Sequence, residues 1–420
     1  MGRSQAQGRA GRHKEAGMRA VMYGAGNIGR GFIGPVFERG GYFVQYVDVN
    51  RELVDALNAR GTYPLRVIRD QAHEDQPVGH FEAIDGKDAG KVAEAIASAD
   101  IMATALGAKI LPLIAPVLAE GIRRRFARTD KTLDIIVCEN LMDAHLVLAG
   151  LIKSHMTPEE QQLFDQRVGL VEASIGRMVP VQTEAMRDGD PLRVCVEEYA
   201  FLPVDKAGFK GEIPDLPGLT PFTPFDYYIR RKLFVHNMGH ATCAYLGHYA
   251  EKTYIAEAIM DADTALVTQN AMLESLTALY RRYQVPADAL LNHIWDLLGR
   301  FANTGLGDTC QRVGADIARK MARDDRMIGS ALLCLEMGVR PDYIALGAAL
   351  ALYQHMKEQS LEVTEEAAQK ALSALSGLGA ETELSGIIMG YMQLLIKGAS
   401  VAELRLAASE GKRKHLEPVV

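Results

Sequence analysis

The stretch Arg19-Ala20-Val21-Met22-Tyr23-Gly24-Ala25-Gly26-Asn27-Ile28-Gly29 runs a short, mostly apolar segment into a Gly-x-Gly-x-x-Gly cluster. A helical pattern follows, then a second apolar run, Tyr42 to Val47, that closes on Asp48. Read together these are strand, tight turn, helix and strand, the context that lifts a glycine pattern above coincidence. Gly24 permits the turn, Gly26 keeps a side chain out of the path of a pyrophosphate, and Gly29 lets the helix pack closely on the strand. The exposed N–H groups at the helix start carry partial positive charge. Gly24, Ala25, Gly26, Asn27, Ile28 and Gly29 are therefore expected to cradle a dinucleotide. Asp48, about 20 residues beyond, stands where a carboxylate accepts from the adenosine ribose hydroxyls and repels a 2′-phosphate, so NAD is favoured over NADP. Two other readings stay open: an ordinary loop with Asp48 as a strand-end cap, and FAD, which would make the purified protein yellow.

Working outward, Ile101–Ala105 and Leu133–Cys138 are further strand candidates, each followed by a helical pattern, as in parallel βαβ units. Tyr63–Ile68 and Phe81–Ile84 are added strands in a long crossover. After Pro180 the character changes: Leu192–Leu202 alternates like one strand, and the segment to Pro224 is dense in Gly and Pro. Beyond Phe225 the chain is helical almost to its end, with long amphipathic stretches at Ile255–Tyr283 and Glu365–Ala374. The expected fold is an α/β Rossmann domain with a doubly wound, mostly parallel sheet, followed by a mainly α-helical C-terminal domain. The expected boundaries are a disordered extension over 1–17, an NAD-binding domain over 18–185 and a helical substrate domain over 186–420. Glu410–His415 reads as a solvated charged tail.

Composition narrows the partners. A net charge of −7 argues against a protein built to grip nucleic acid, whose phosphates demand clustered cations. A small anionic substrate needs only a local basic pocket. The five cysteines are scattered, with no CxxC pair or His spacing of a zinc site, which points to a reducing, cytoplasmic setting and no metal. No apolar run approaches the roughly 20 residues of a membrane span, and the opening residues lack the apolar core of a secretory signal. Oligomeric state is not legible.

The chemistry concentrates in Arg230-Arg231-Lys232-Leu233-Phe234-Val235-His236-Asn237-Met238-Gly239-His240. At about 100° per residue, Lys232, His236 and His240 share one helix flank with Asn237 beside them. Carbonyl reduction needs such a set: a proton donor for the alcohol oxygen, a neutral donor where negative charge develops, and a group that holds them. Burial and the neighbouring Arg230 and Arg231 would bring the Lys232 amine toward neutrality. The bland reading makes Lys232 surface charge and His240 a core histidine; His236 is taken as packing. Cys138-Glu139-Asn140 ends a parallel strand, at the edge of an open α/β sheet where ligands bind, so Asn140 is a second candidate amide for the oxyanion. Thr104 and Gly107, after the Ile101–Ala105 strand, occupy the same edge and are expected to line the nicotinamide ribose.

Together these motifs resemble the polyol-specific long-chain dehydrogenases, the mannitol dehydrogenase family. The resemblance runs from Met18 to about residue 400. It is carried by YGAGNIGRGFIG (Tyr23–Gly34), Cys138-Glu139-Asn140, VDKAGFKG (Val204–Gly211) and RKLFVHNMGHATCAYLG (Arg231–Gly247), the last holding a K-x4-N-x2-H spacing. It implies a Rossmann domain followed by a helical domain, no catalytic metal, and Lys232 as acid/base. It also implies Asn140 and Asn237 as oxyanion-binding amides and His240 on the substrate oxygen. The reaction implied is D-mannitol 1-phosphate plus NAD giving D-fructose 6-phosphate plus NADH. This chain departs from the phosphate-specific pattern at Arg230, at Gly176 and around Arg312-Val313-Gly314-Ala315-Asp316, leaving Arg312, Arg319 and Lys320 as phosphate-binding candidates. Alternatives are a relative acting on an unphosphorylated polyol or sugar acid, and an NAD-binding sensor without chemistry.

Overall fold

A computed structural model of the chain describes residues 17–70, 72–141 and 143–415; the expected extension lies, but for Gly17, outside them. The chain forms two compact units. One takes in the chain to Arg66, Asp75–Cys195 and Tyr199–Thr223; the other takes in Val67–Glu74, Val196–Glu198 and Pro224 onward.

The first unit is built on the strands β1 (Arg19–Tyr23), β2 (Phe43–Asp48), β5 (Phe81–Asp85), β6 (Ile101–Thr104), β7 (Leu133–Val137) and β8 (Val168–Glu172), with β3 (Tyr63–Arg69) and β4 (Ala72–Val78) between β2 and β5. The main sheet has the order β5-β2-β1-β6-β7-β8, and every pairing in it is parallel. The order reverses at β1, so the glycine turn lies at the switch point where such sheets open a crevice. β6 and β7 are buried at every position, which is why IMAT and LDIIV read as continuous runs rather than as alternation. β8 has no such run: Gly169 interrupts it, because a Cβ there would sit 2.0 Å from Asp134 Oδ1. That buried Asp134 accepts from the N–H groups of Lys210 (2.8 Å) and Gly211 (3.0 Å). The VDKAGFKG motif thus docks on β7 and serves the architecture of the sheet.

Several expectations are corrected. Leu192–Leu202 is two strands, β9 (Val194–Glu197) and β10 (Leu202–Asp205), which belong to different sheets: β4-β3-β9, and β10 with β11 (Leu219–Phe222). The Leu219–Phe222 pairing and the Ala173–Val204 bridge keep the chain in the first unit to Thr223, past the expected boundary near 185. Ile255–Tyr283 is broken into the helices Ile255–Ile259 and Ala262–Tyr283, because Asp261 caps the second through the Thr264 N–H at 2.9 Å.

The second unit is a bundle of helices around two buried ones, Met238–Tyr249 and Asp342–Glu358. Glu410–His415 is not a tail in water. The helix Val401–Arg413 brings Lys412 to Glu274, which is 3% exposed, at 3.1 Å. Glu274 also accepts from the N–H groups of Tyr343 and Ile344, each at 3.1 Å, while Lys412 reaches the Arg340 carbonyl. Burial pushes the Glu274 carboxyl up to about 7 in spite of these donors.

Removing the ammonium strands this carboxylate, so Lys412→Ala is expected to cost about 2–4 kcal/mol in urea unfolding. Folded Glu274 holds its proton more tightly than the unfolded carboxyl does. Its stabilising contribution is therefore complete below about pH 4.5 and lost as pH rises to about 7. Glu274→Gln removes that slope, so the stability difference between wild type and variant changes across this window and is flat above it.

Candidate active site

In the first unit the glycine turn is held from two sides. Gly24 has φ +106, a conformation L side chains rarely adopt, and a Cβ there would lie 2.5 Å from the Ala105 carbonyl oxygen. A Cβ on Gly29 would lie 1.9 Å from the Gly24 carbonyl oxygen, so helix and turn are in contact. Gly26 is exposed, and a Cβ on it would meet nothing within 4 Å: the space in front of it is open. A pyrophosphate fits such a cradle, with Asn27 exposed beside it and Ile28 half-buried. Asp48 Oδ2 accepts from the Ala25 N–H at 2.9 Å and Oδ1 from the Asn50 N–H at 2.9 Å, which aims the carboxylate along the rim of the turn. The helix opens as a π turn over Gly29–Ile33, with the Gly34 N–H returning to the Gly29 carbonyl.

At the neighbouring strand ends the structure separates the expected residues. Gly107 is exposed, at φ +89. Thr104 is 0% exposed, with its Oγ1 enclosed and lacking a hydrogen-bond partner, so it lies beneath the surface rather than lining a ribose site. Asn140 is exposed just beyond β7. The residue that organises this edge is Glu139, whose carboxylate accepts from the N–H groups of Leu106 (3.0 Å) and Gly107 (2.7 Å). A lone acid beside a candidate asparagine carried no signal of that task.

In the second unit Lys232–Asn237 is also a π turn, set between the helices Asp226–Arg231 and Met238–Tyr249; the Met238 N–H returns five residues, to Leu233. In an α-helix, residues five apart stand about 140° apart around the axis. The wider turn brings them to nearly the same side. Lys232 and Asn237 are both half-buried and stand at the two ends of this wider turn, not on the α periodicity assumed from sequence. His236, buried at 6% exposure, points inward.

His240 follows one α turn later. Its ring stacks on Phe301 at 4.7 Å and 11°, and Nε2 lies 3.7 Å from Asp308 Oδ2, beyond hydrogen-bonding reach. Nε2 is enclosed and has no partner. Burial, reinforced by Arg312, Arg300, Arg326 and Lys320, pushes His240 down to about 3, so the imidazole is neutral. Burial holds His236 and His293 well below the usual histidine range too. Arg300 pairs with Glu197 through two bonds, at 2.7 and 2.5 Å, with side chains 9% and 2% exposed. Phe301, Asp308, Arg300 and Glu197 escaped the sequence reading; only the i,i+4 spacing of Asp308 and Arg312 hinted at a pair.

The three phosphate candidates are all engaged. Arg312 bonds Asp308, and its side chain is 48% exposed. Arg319 pairs with Asp316 at 2.5 Å and Asp325 at 3.2 Å. Lys320 is 5% exposed and its ammonium donates to the carbonyls of Val313 and Ala315, which pins the 313–316 turn. Burial lowers that ammonium to about 8.

Comparison with known proteins places the chain in a family. The mannitol dehydrogenase Rossmann-domain family model matches residues 18–218, and the mannitol dehydrogenase C-terminal-domain model matches residues 225–383. A mannitol-1-phosphate 5-dehydrogenase from Brevibacillus brevis is 38% identical over 335 residues, 80% of this chain and 86% of the relative. Among solved structures, substrate-free D-sorbitol dehydrogenase superposes with a TM-score of 0.77 at 16% identity, covering 92% of this chain and 95% of the other. Mannitol 2-dehydrogenase from Pseudomonas fluorescens, solved with NAD and D-mannitol, superposes with a TM-score of 0.71 at 15% identity, covering 94% of each chain. With both domain models matched in order, the chain belongs to the mannitol dehydrogenase family.

Proposed function

We propose that the chain is an NAD-dependent dehydrogenase that interconverts D-mannitol 1-phosphate and D-fructose 6-phosphate. The observation that carries this reading is the π turn that spans Lys232 to Asn237, with a neutral His240 one turn on. The name of the Brevibacillus relative supports the phosphorylated substrate, and the Pseudomonas structure, with NAD bound, supports the cofactor.

The open space at Gly26 and the rim carboxylate of Asp48 are the features that would hold NAD, which when bound takes up or returns the hydride of the alcohol carbon. In the oxidative direction the C–H bond breaks as the C=O bond forms. The hydroxyl proton passes to the Lys232 amine; in the reverse direction Lys232 returns it. The Asn237 amide donates to the oxygen as charge develops, and the family resemblance gives Asn140 the second amide. His240 stays neutral, so it hydrogen-bonds the substrate without adding a titration of its own. Arg312, exposed beside Asp308, is the cation best placed for an anionic substrate group.

One observation favours the runner-up, an unphosphorylated polyol or sugar acid: Arg319 and Lys320 are already satisfied by two aspartates and two carbonyls. NADH oxidation with fructose 6-phosphate, fructose and fructuronate separates the two. Fastest turnover with the phosphate is expected, and a clear preference for either other substrate overturns the phosphate assignment. Lys232→Ala is expected to leave NADH binding nearly intact while lowering turnover about 100- to 10,000-fold. Asp48→Ala is expected to shift the preference between NAD and NADP toward NADP, measured as the ratio of kcat/KM values; an unmoved ratio removes Asp48 from the ribose.

A further inference from the structure

The glycine turn contains an electrostatic conflict. Asp48 places a carboxylate 2.9 Å from the Ala25 N–H, inside the motif expected to receive a pyrophosphate of the same sign. Arg30, the residue immediately after the motif, is 6% exposed. Its Nε donates to the Ala25 carbonyl at 2.7 Å and its Nη1 to the Leu192 carbonyl at 2.7 Å, and the guanidinium lies 5.5 Å from the centre of the Tyr63 ring. Tyr63 in turn donates to the Arg30 carbonyl at 2.8 Å and shares a hydrogen bond with Tyr46 at 2.8 Å. These partners are neutral. Burial holds the guanidinium below its ordinary range; the tyrosines and the carboxylate of Asp48 act against this, and Arg187 adds to it. A buried cation bonded to carbonyls is costly unless an anion offsets it.

We infer that Arg30 is a positioning residue for the cofactor: it fixes the Ala25 carbonyl of the turn, and its buried charge cancels that of Asp48 so that a pyrophosphate is attracted and not repelled. Asp48 is thereby free to select the ribose without costing phosphate affinity. Arg177 assists from the same side, donating to the Gly31 carbonyl at 3.1 Å with its guanidinium 5.4 Å from the centre of the Phe32 ring. The inference rests on the NAD reading above, and concerns the diphosphate and not the reacting end of the cofactor.

The test is equilibrium binding of NADH, ADP and adenosine to the purified full chain, by nucleotide fluorescence and calorimetry. Wild-type protein that binds no NADH overturns the NAD reading itself, before any variant is made. With wild-type binding in hand, Arg30→Gln is expected to weaken NADH and ADP roughly 10- to 100-fold and adenosine less than about threefold. Equal losses for ADP and adenosine, or no loss for ADP, overturn the role of the charge. Arg30→Lys decides the matter where the glutamine variant fails to fold. A buried lysine gives up its proton far more readily than arginine does. ADP affinity of the lysine variant should therefore fall relative to wild type between about pH 7 and 10, with adenosine affinity unmoved; parallel profiles overturn the inference.

Discussion

Both segments that carry the proposed chemistry are wound wider than an α-helix, and the placement of every polar group around them depends on that widening. Gly29–Ile33 follows the glycine turn and Lys232–Asn237 bears the amine and the amide. A π turn has poorer geometry than an α turn and survives only where packing over-determines it. In the first case Tyr46 crowds Gly34, where a Cβ would lie 1.9 Å from the tyrosine hydroxyl, and Arg30 and Arg177 hold the carbonyls of Ala25 and Gly31. In the second, Phe234, Val235 and His236 are buried as three consecutive residues, an inward face broader than an α-helix of this length presents. The wide turn lets three neighbours be buried together while Lys232 and Asn237, at its ends, stay half-buried.

The surroundings of His240 follow from what those inward residues meet. His236, His240 and His293 are all kept neutral, first by burial and then by nearby cations: Arg300 for His236, Arg312 and Arg300 for His240, and Arg231 and Arg300 for His293. Arg300 tolerates that position because Glu197 takes two of its bonds and Asp296 a third, at 3.2 Å. Breaking such a pair strands a charge, whereas leaving it whole keeps a positive field over three imidazoles without exposing an arginine to them as a hydrogen-bond rival. Asp308 completes the arrangement. One oxygen lies 3.7 Å from His240 Nε2, beyond hydrogen-bonding reach, while the other is held by Arg312.

Much of this was legible beforehand, and the reasons differ by element. β1, β6 and β7 announced themselves because a parallel strand buried on both faces must be apolar throughout. β8 did not, because Gly169 yields its side chain to Asp134, a contact that belongs to a partner 35 residues earlier and to no local pattern. The glycine roles at 24, 26 and 29 followed from geometry common to all such turns. Thr104 was misplaced because its position at a strand end is visible in sequence and its burial is not. The expectation that Lys232, His236 and His240 share a flank came from α periodicity, which the π turn over Lys232–Asn237 breaks, and His236 is buried instead. The long-range partners, Glu197 for Arg300 and Glu274 for Lys412, left no trace, because pairing across 103 or 138 residues is set by the fold alone.

The stretch from Asp308 to Arg326 is where family membership says least and local charge says most. It carries Arg312, Arg319, Lys320 and Arg326, which in composition looks like a phosphate pocket, yet Asp308, Asp316 and Asp325 are interleaved with them and each takes a guanidinium. A phosphate would have to compete with carboxylates already in place. It wins only where the carboxylate is itself poorly solvated, because then exchanging one anion for another relieves a penalty instead of adding one. Asp308 is the member that meets this condition: burial raises its carboxyl above the ordinary range, and the Arg312 bonded to it is half exposed. The choice between a phosphorylated and a free substrate therefore turns on one exchange, at Arg312, and not on the count of basic residues in the stretch.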